Sequence, residues 1–202
     1  MCEERTADKG ALVVISGPSG VGKGTVAREV LLRDPLTRFS VSATTRLPRP
    51  GEIDGESYYF LSEEEFLLRR AQREFLEWAQ VFGNYYGTLH SEVDRLLGAG
   101  FNVLLDIDTQ GAASVRQLRP EAVSVFIMPP SMEELKRRII RRGTETPDVL
   151  EFRLSRAESE MALAPNYDYI IVNDDLETAA GELLDIIAAS RAAVNNKENT
   201  QC

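Results

Sequence analysis

The sequence contains few of the residues on which several classes of protein depend. Its 202 residues include two cysteines, Cys2 and Cys202, at the ends of the chain, and one histidine, His90. Two terminal cysteines argue against a disulfide scaffold, and their number excludes a metal site built on cysteine. The histidine lies in a polar stretch and is interpreted as a surface residue rather than a catalytic base. No Ser/His/Asp or Cys/His constellation can therefore be assembled.

Long apolar runs and an excess of positive charge are also missing. No run of about 18 apolar residues occurs, and the N-terminus lacks a basic and apolar leader, so we expect a cytoplasmic protein without membrane contact. The formal net charge of −9 argues against a nucleic-acid polymer as partner. A few local arginines would still suffice to bind a nucleotide phosphate. Either a monomer or a homodimer is compatible with the sequence.

A glycine-rich loop lies between a predicted strand and a predicted helix near the N-terminus. Residues 11–15 are a continuous apolar run, which is typical of a buried parallel strand, and residues 26–32 follow a helical pattern. The loop between them consists of Gly17, Pro18, Ser19, Gly20, Val21, Gly22, Lys23, Gly24 and Thr25. Glycines in this context let backbone N–H groups face phosphate oxygens, and Lys23 can reach the outer phosphates of a bound triphosphate.

Two acids and one hydroxyl are candidates for holding a magnesium ion against these phosphates. Asp106 and Asp108 end a predicted strand at 101–108, which we expect beside the strand that precedes the loop. An acid there can bind magnesium directly or, in the case of Asp106, through water. The alternative is that one of the two acids caps the following helix. The usual loop motif has Ser or Thr at the position of Gly24, which leaves the hydroxyl of Thr25 as a further candidate.

Strands and helices alternate through most of the remaining chain. This order predicts an α/β fold with a parallel-sheet core sandwiched by helices, and ligands are expected beyond the carboxyl ends of the strands. Within a strand-rich insertion, residues 39–45 are predicted as one strand, and Ser91 is predicted to cap the next helix. The expected division is a flexible N-terminus (1–10), core segments (11–38, 91–134 and 161–194), the insertion (39–90), a helical lid region (135–160) and a disordered tail (195–202).

Basic residues form two groups that could bind phosphate. Arg46 and Arg49 lie in a Pro- and Gly-rich loop, where guanidinium groups could clamp a second phosphate with help from the hydroxyls of Tyr58 and Tyr86. The alternative for these arginines is a solvated surface. The second group flanks residues 143–146, and its candidates are Arg138, Arg142 and Arg153. Arginines that arrive with a closing loop are suited to neutralising charge during phosphoryl transfer.

Six further motifs occur in unbroken order and together resemble guanylate kinase. They are SATTRLPRPGE (42–52), EFLEWA (74–79), GNYYGT (83–88), LDIDTQG (105–111), RGTE (142–145) and IVNDD (171–175). The resemblance extends from about residue 11 to residue 190. It implies transfer of the γ-phosphoryl group of ATP to GMP, and to dGMP, which gives ADP and GDP with Mg2+ as cofactor.

The resemblance also implies roles for individual residues. The GMP phosphate would be bound by Arg46, Arg49, Tyr58 and Tyr86. The guanine base would be read by Ser42, Glu77, Thr88 and Asp108. The transferring phosphoryl group would be surrounded by Lys23, Arg138, Arg142 and Arg153. The adenine of ATP would lie near Asn173.

A carboxylate at position 77 fits the guanine edge chemically. Guanine presents N1–H and an exocyclic amine, two donors that Glu77 can accept together, whereas adenine has an acceptor at N1. Selection against adenine would follow because polar groups would be left unpaired. Without the resemblance, Glu77 is only a polar residue of a predicted strand, so its role is implied by the family.

Two alternative functions stay open. The pair Gly24 and Thr25 is similar to the loop of adenylate kinases, which favours another nucleoside monophosphate kinase as the first alternative. The second is a non-catalytic guanylate-kinase-like domain that binds peptides on the same fold. Such domains typically lack an intact phosphate loop, whereas this chain has Lys23, the loop glycines and the lid arginines.

Overall fold

A computed structural model of the chain describes residues 8–81, 83–141 and 147–200. Its strands are β1 (Leu12–Ser16), β2 (Thr37–Phe39), β3 (Ala43–Thr44), β4 (Tyr59–Phe60), β5 (Phe75–Val81), β6 (Asn84–Leu89), β7 (Asn102–Asp106), β8 (Val123–Met128) and β9 (Tyr169–Val172). Its helices are α1 (Lys23–Arg33), α2 (Glu63–Ala71), α3 (His90–Gly98), α4 (Thr109–Leu118), α5 (Met132–Arg141), α6 (Pro147–Met161) and α7 (Leu176–Thr200). None of the described helices has the length and apolarity needed to cross a bilayer.

Five parallel strands form the central sheet in the order β2-β7-β1-β8-β9. Alternate side chains of β1 point to opposite faces of the sheet, and each face has its own apolar cluster. Val13 and Ile15 pack with residues of α1, α5 and α7 on one face, whereas Leu12 and Val14 pack with α3 and α4 on the other. Helices therefore cover both faces, which confirms the predicted α/β core.

The strand β7 lies directly beside β1, as the sequence predicted. In this pairing Ile15 is opposite Asp106, the last residue of β7. Because the carboxyl ends of parallel strands meet at the same edge of a sheet, the glycine-rich loop after β1 and the chain after β7 share one edge. This arrangement brings Asp106 next to the loop.

A second sheet has the strand order β4-β3-β6-β5. In it β3 and β4 are parallel, whereas β6 pairs antiparallel with both β3 and β5. Its apolar core consists of Ala43, Phe66, Phe75 and Leu89, and the rings of Phe66 and Phe75 stack at 4.3 Å. Leu76, the next residue on β5, joins the cluster under α3 and α4 instead. The two sheets are therefore connected through β5.

The prediction of one strand at 39–45 is wrong. Phe39 ends β2 at the edge of the central sheet, and Ala43 begins β3 in the second sheet. The chain changes sheets here because the backbone after Phe39 finds its hydrogen-bond partners in the second sheet. The N–H of Tyr59, for example, donates to the carbonyl oxygen of Ser42 at 2.9 Å.

The predicted cap of α3 is also wrong. The helix begins at His90, and its N-terminal cap is Leu89, which has no capping side chain. Strand β6 thus runs directly into the helix. The N–H of His90 donates to the carbonyl oxygen of Glu74 at 3.0 Å, so strand pairing continues up to the first residue of the helix and leaves Ser91 inside it.

The C-terminal helix is longer than the sequence predicted. Residues up to Thr200 are helical, which corrects the expected disordered tail from residue 195. Asn195 on this helix accepts from the N–H of Lys9 at 2.9 Å and donates to the carbonyl oxygen of Lys9 at 3.2 Å. These two bonds join α7 to the beginning of the described chain. Residues 1–7, 201 and 202, which include both cysteines, lie outside the described residues.

Candidate active site

The glycine-rich loop leads from the end of β1 into the first residue of α1, Lys23. Gly22 precedes the helix with a φ of 103°, a left-handed conformation that glycine adopts at little cost. Space also requires glycine here, since a Cβ atom on Gly22 would lie 2.5 Å from the Nδ2 atom of Asn173. The N-terminal end of α1 lines an open cleft together with the loop, which is a favourable place for an anion.

Lys23 and Asp106 both line this cleft of the loop. The Nζ atom of Lys23 donates to the carbonyl oxygen of Gly17 at 2.7 Å. Asp106 is open to solvent on one side, but the protein atoms around its carboxyl desolvate it and raise its pKa, while Lys23 acts in the opposite direction. A Cβ atom on Gly24 would lie 3.6 Å from Oδ2 of Asp106, which is an ordinary van der Waals contact, so Gly24 lies directly beside the carboxylate.

The oxygen donors at the cleft of the loop fit magnesium. Mg2+ is commonly bound by one or two protein carboxylates together with substrate phosphates and water. Asp106 and Thr25 line the same cleft and could supply a carboxylate and a hydroxyl. Within residues 8–81, 83–141 and 147–200, no three His, Cys, Asp or Glu side chains cluster as a metal site.

Arg138 and Asn173 bind the backbone of the loop. Asn173 donates through Nδ2 to the carbonyl oxygen of Val21 at 2.8 Å. Arg138 donates through Nη1 to the carbonyl oxygens of Asn173 at 2.9 Å and Val21 at 3.2 Å, and its Nε pairs with Glu134 at 2.8 Å. These residues line a separate cleft, called here the outer cleft, with Gly22, Thr25, Arg141, Asp174 and Leu176. Arg138 thus lines a different cleft from Lys23 and binds the backbone of the loop.

Helix α6 brings a further arginine to the loop. The Nη2 atom of Arg153 donates to the Oγ atom of Ser19 at 2.7 Å, and Arg153 lines a cleft that also contains Lys23 and Asp106. Arg156 and Glu160 line the same cleft and form an ion pair at 3.1 Å. The sequence reasoning missed them, although their four-residue spacing on a helix was the available signal. Arg142, the remaining lid candidate, lies outside the described residues.

Another polar cleft, called here the inter-sheet cleft, lies between the central and the second sheet. Its polar lining comes from Ser40, Ser42, Ser57, Tyr58, Thr88 and Asp106. Asp106 also lines the cleft of the glycine-rich loop. The two clefts therefore meet at the carboxyl end of β7.

Two acids meet beside the inter-sheet cleft. Glu77 and Thr88 are paired on β5 and β6, and the hydroxyl of Thr88 donates to Oε1 of Glu77 at 2.6 Å. Burial raises the pKa of the Glu77 carboxyl; the hydrogen bond from Thr88 opposes this shift and the charge of Asp108 adds to it. Asp108 caps α4 by accepting from the N–H of Gly111 at 2.8 Å. The capping role left open by the sequence thus applies to Asp108.

Arg46 is held by a carboxylate that the sequence reasoning did not single out. Glu52 accepts from both terminal nitrogens of Arg46, at 2.8 and 2.9 Å, and from the N–H of Arg49 at 2.7 Å. The pair with Arg46 lowers the pKa of Glu52 to about 2 and raises the pKa of Arg46. An acid that follows two loop arginines closely was the available sequence signal.

The aromatic candidates lie next to the same guanidinium group. The ring centre of Tyr58 is 5.4 Å from the guanidinium carbon of Arg46, and the rings of Tyr58 and Tyr86 are 6.2 Å apart. A hydrogen bond from Arg46 to Tyr86 also contributes to the raised pKa of Arg46. The structure thus brings three of the four predicted phosphate-binding side chains together, whereas the side chain of Arg49 is exposed.

The cleft of the glycine-rich loop and the inter-sheet cleft together define a nucleotide phosphotransferase of the α/β class. A glycine-rich loop at a helix N-terminus suits the phosphates of a donor nucleotide, and the polar inter-sheet cleft suits an acceptor. Both open at the carboxyl edge of the central sheet, where Asp106 lines each of them.

Comparisons with known proteins identify the family. The sequence model described as guanylate kinase matches residues 9–190. The chain is 54% identical over 184 residues to the guanylate kinase of Symbiobacterium thermophilum. These residues are 91% of this chain and 87% of that protein. The chain is 48% identical over 188 residues to the guanylate kinase of Desulfitobacterium hafniense, with coverage of 93% and 94%.

A solved structure supports the same assignment. The crystal structure of guanylate kinase from Anaplasma phagocytophilum matches with a TM-score of 0.69 and 40% identity, over 92% of this chain and 88% of that one. The chain therefore belongs to the guanylate kinase family, a family of ATP:GMP phosphotransferases. This confirms the family that the order of the sequence motifs predicted.

Proposed function

We propose that this chain transfers the γ-phosphoryl group of ATP to GMP, and to dGMP, with ADP and GDP as products. Its membership of the guanylate kinase family supports the reaction and both substrates. The observation that carries the proposal is the meeting of two clefts at Asp106, which would let the phosphates of two nucleotides approach each other. We place the proposed enzyme in the cytoplasm, as a monomer or a homodimer.

The glycine-rich loop, residues 17–25, is the proposed phosphate-binding loop (P-loop) for ATP. Backbone N–H groups at the start of α1 would bind the inner phosphates, and Lys23 would reach the outer ones. The outer cleft is the proposed place for the adenine ring, since it opens beside the loop at Gly22 and Thr25. Asn173 lines this cleft while its amide holds the loop through Val21.

The inter-sheet cleft is the proposed site of GMP. Its phosphate would be bound by Arg46, Arg49, Tyr58 and Tyr86. A guanidinium group has five N–H donors, so Arg46 can keep its pair with Glu52 and still donate to a phosphate oxygen. The insertion at 39–90, which contains the second sheet, would therefore act as the domain that binds the nucleoside monophosphate.

Guanine recognition is proposed for the acids beside this cleft. Glu77 would accept from N1–H and the exocyclic amine, and the hydroxyl of Thr88 fixes one of its oxygens. Ser42 and Asp108 would complete the contacts to the base. Adenine would place its N1 acceptor against a carboxylate, which leaves both groups unpaired at a cost of about 1–3 kcal/mol for each buried group.

Catalysis in this proposal consists of alignment and charge neutralisation. Lys23 and Arg153 line the cleft containing Asp106, together with Arg156, which is paired with Glu160, and Arg142 would join them. Asp106, through water, and the hydroxyl of Thr25 would hold magnesium. The bound ion supplies positive charge that stabilises the phosphate oxygens during transfer.

The helical region at 135–160 is the proposed lid. Most of helices α5 and α6 lies in it, and Arg153 of α6 contacts Ser19 of the loop. Arg138 of α5 binds the loop through Val21 and would move or brace the loop as the lid closes. Closure would exclude water from the transferring phosphoryl group.

An acceptor-specificity assay tests this function. ADP formation from ATP and Mg2+ is measured with GMP, AMP, UMP and dTMP in turn, and Lys23→Ala serves as the inactive control. GMP is expected to exceed the other acceptors by at least about 100-fold in kcat/KM. Preference for AMP would refute the proposal and favour the kinase suggested by Gly24 and Thr25. Binding of GMP without formation of ADP would favour a non-catalytic interaction domain.

A further inference from the structure

Gly111 lies in the first turn of α4, against the carboxylate of Glu77. A Cβ atom on Gly111 would lie 3.2 Å from Oε2 and 3.4 Å from Cγ of Glu77, and 3.4 Å from Oδ1 of Asp108. The backbone N–H of the same glycine donates to Oδ1 of Asp108 at 2.8 Å. One residue therefore contacts both acids beside the inter-sheet cleft.

The backbone at Gly111 does not itself require glycine. The residue is helical, and it is absent from the glycines with positive φ. Inside a helix, glycine is less favourable than alanine because it loses more conformational freedom on folding. Gly181 in α7 is a useful contrast, because no atom lies within 4 Å of the Cβ position there. At Gly111, a side chain would meet the carboxylate of Glu77, which would have to move to make room for it.

We propose that Gly111 is a specificity-determining position for guanine. Its missing side chain lets α4 approach β5 closely enough for Glu77 to keep its carboxylate against Thr88, while its N–H fixes Asp108. Both acids are thus set side by side for the guanine edge. The inference rests on the proposed role of Glu77 in reading guanine.

An alanine at this position would displace the Glu77 carboxylate by a few tenths of an ångström. A methyl group at 3.2 Å from Oε2 is too close for a relaxed contact, and Oε1 is already fixed by Thr88 at 2.6 Å. Hydrogen bonds weaken steeply with distance and angle. Recognition of two neighbouring donors depends on both carboxylate oxygens. Binding of GMP should therefore be weakened more than binding of IMP, which keeps N1–H but lacks the exocyclic amine.

The test compares Gly111→Ala with Gly181→Ala as a matched helix substitution. We expect the KM for GMP to rise about ten-fold in Gly111→Ala, with the larger part of the loss in KM rather than kcat. The ratio of kcat/KM for GMP to that for IMP should fall, the KM for ATP should stay the same, and Tm should not fall. Gly181→Ala should change none of the kinetic values. An unchanged GMP to IMP ratio in Gly111→Ala would overturn the inference.

A double-mutant cycle with Glu77→Ala shows whether the effect passes through Glu77. Truncation of Glu77 at Cβ removes both of its atoms that the new methyl group would meet. In the Glu77→Ala protein, Gly111→Ala should therefore cause no further fall in kcat/KM for GMP. If Gly111→Ala lowers kcat/KM for GMP equally in the wild type and in Glu77→Ala, the inference is contradicted. If Glu77→Ala itself leaves the GMP to IMP ratio unchanged, the proposed guanine recognition fails. If Glu77→Ala lowers the ratio and Gly111→Ala does not, only the role of Gly111 fails.

Discussion

Glu77 is subject to two opposing requirements. Burial raises the pKa of its carboxyl and so favours the neutral form, whereas recognition of guanine requires the carboxylate. The pKa of Glu77 in the folded protein lies above that in the unfolded chain. Its contribution to the free energy of unfolding is therefore complete below the unfolded-state pKa. That contribution is lost as the pH rises through the folded-state pKa. Binding of GMP should have the opposite pH dependence, because it improves as Glu77 ionises.

Replacement of Glu77 by glutamine tests this residue directly. Glu77→Gln should lower kcat/KM for GMP about 100-fold, because the amide presents donors to the donors of guanine. The wild-type protein should lose affinity for GMP as the pH falls toward the raised pKa of Glu77, and the variant should lack this dependence. Steady-state kinetics with GMP between about pH 5 and pH 8 measure both effects. Ionisation of the GMP phosphate is common to both proteins, so the difference isolates Glu77.

The control for this variant is Gln80→Ala on the same strand. Gln80 is exposed and lies on β5 three residues after Glu77, so its truncation should leave both kcat/KM and the pH profile as in the wild type. Persistence of GMP selectivity in Glu77→Gln would contradict the assignment. So would the same pH dependence in Glu77→Gln as in the wild type.

At the scale of elements, the loop between β3 and β4 is organised by Glu52. This carboxylate fixes the guanidinium of Arg46 and the backbone of Arg49, and its pKa of about 2 keeps it ionised throughout the neutral range. Glu52→Gln should raise the KM for GMP about five-fold, because the guanidinium is then less well oriented before the phosphate arrives. The same factor is expected for IMP, since the base is recognised elsewhere.

Glu56→Gln is the matched control for this loop. It removes the same charge from an exposed position between Glu52 and β4, and it should leave both KM values unchanged. A lower KM for GMP in Glu52→Gln would show that this carboxylate competes with the phosphate instead of orienting Arg46. A change in the GMP to IMP ratio would show that the loop also affects the base.

The elements that the sequence could predict are those with local causes. The apolar run before the loop and the glycines within it predict a strand, a turn and a helix from neighbouring residues alone. The proposed role of Gly111 depends on atoms that come together only in the folded chain, so spacing alone did not reveal it. The short spacing of Glu52 from Arg46 and Arg49 was a local signal, but their atom-to-atom pairing is defined only by the folded loop. The division of 39–45 between two sheets was missed for the same reason, because it depends on which backbone groups Ser42 meets.

At the scale of the whole molecule, β5 connects the two sheets. Its Phe75 belongs to the small core of the second sheet, and its Leu76 is buried in the cluster under α3 and α4. The proposed GMP site lies across the same boundary, because Glu77 comes from β5, whereas Asp106 ends β7 and Asp108 follows it. Stability and acceptor binding should therefore be coupled at this strand.

Truncation of Leu76 should weaken this coupling. Leu76→Ala is expected to lower the free energy of unfolding by about 2–4 kcal/mol, as for other buried leucines. The single tryptophan, Trp78, lies on β5 and reports on the second sheet by fluorescence, whereas far-UV circular dichroism reports mainly on the helices. In urea, the fluorescence and circular dichroism signals should change together in the wild type. In Leu76→Ala, the Trp78 fluorescence should change at a lower urea concentration than the circular dichroism signal.

Val93→Ala and GMP complete the test of this coupling. Val93 is buried in the same cluster but belongs to α3, so its truncation should lower the urea midpoints of both signals by the same amount. Saturating GMP should bring the two transitions of Leu76→Ala back together, because a ligand that contacts both sheets binds only when they are folded and adjacent. At 100 times its Kd, such a ligand stabilises the folded state by about 2.7 kcal/mol. Coincident transitions in Leu76→Ala without GMP would show that contacts other than Leu76 are enough to make the two sheets unfold as one unit.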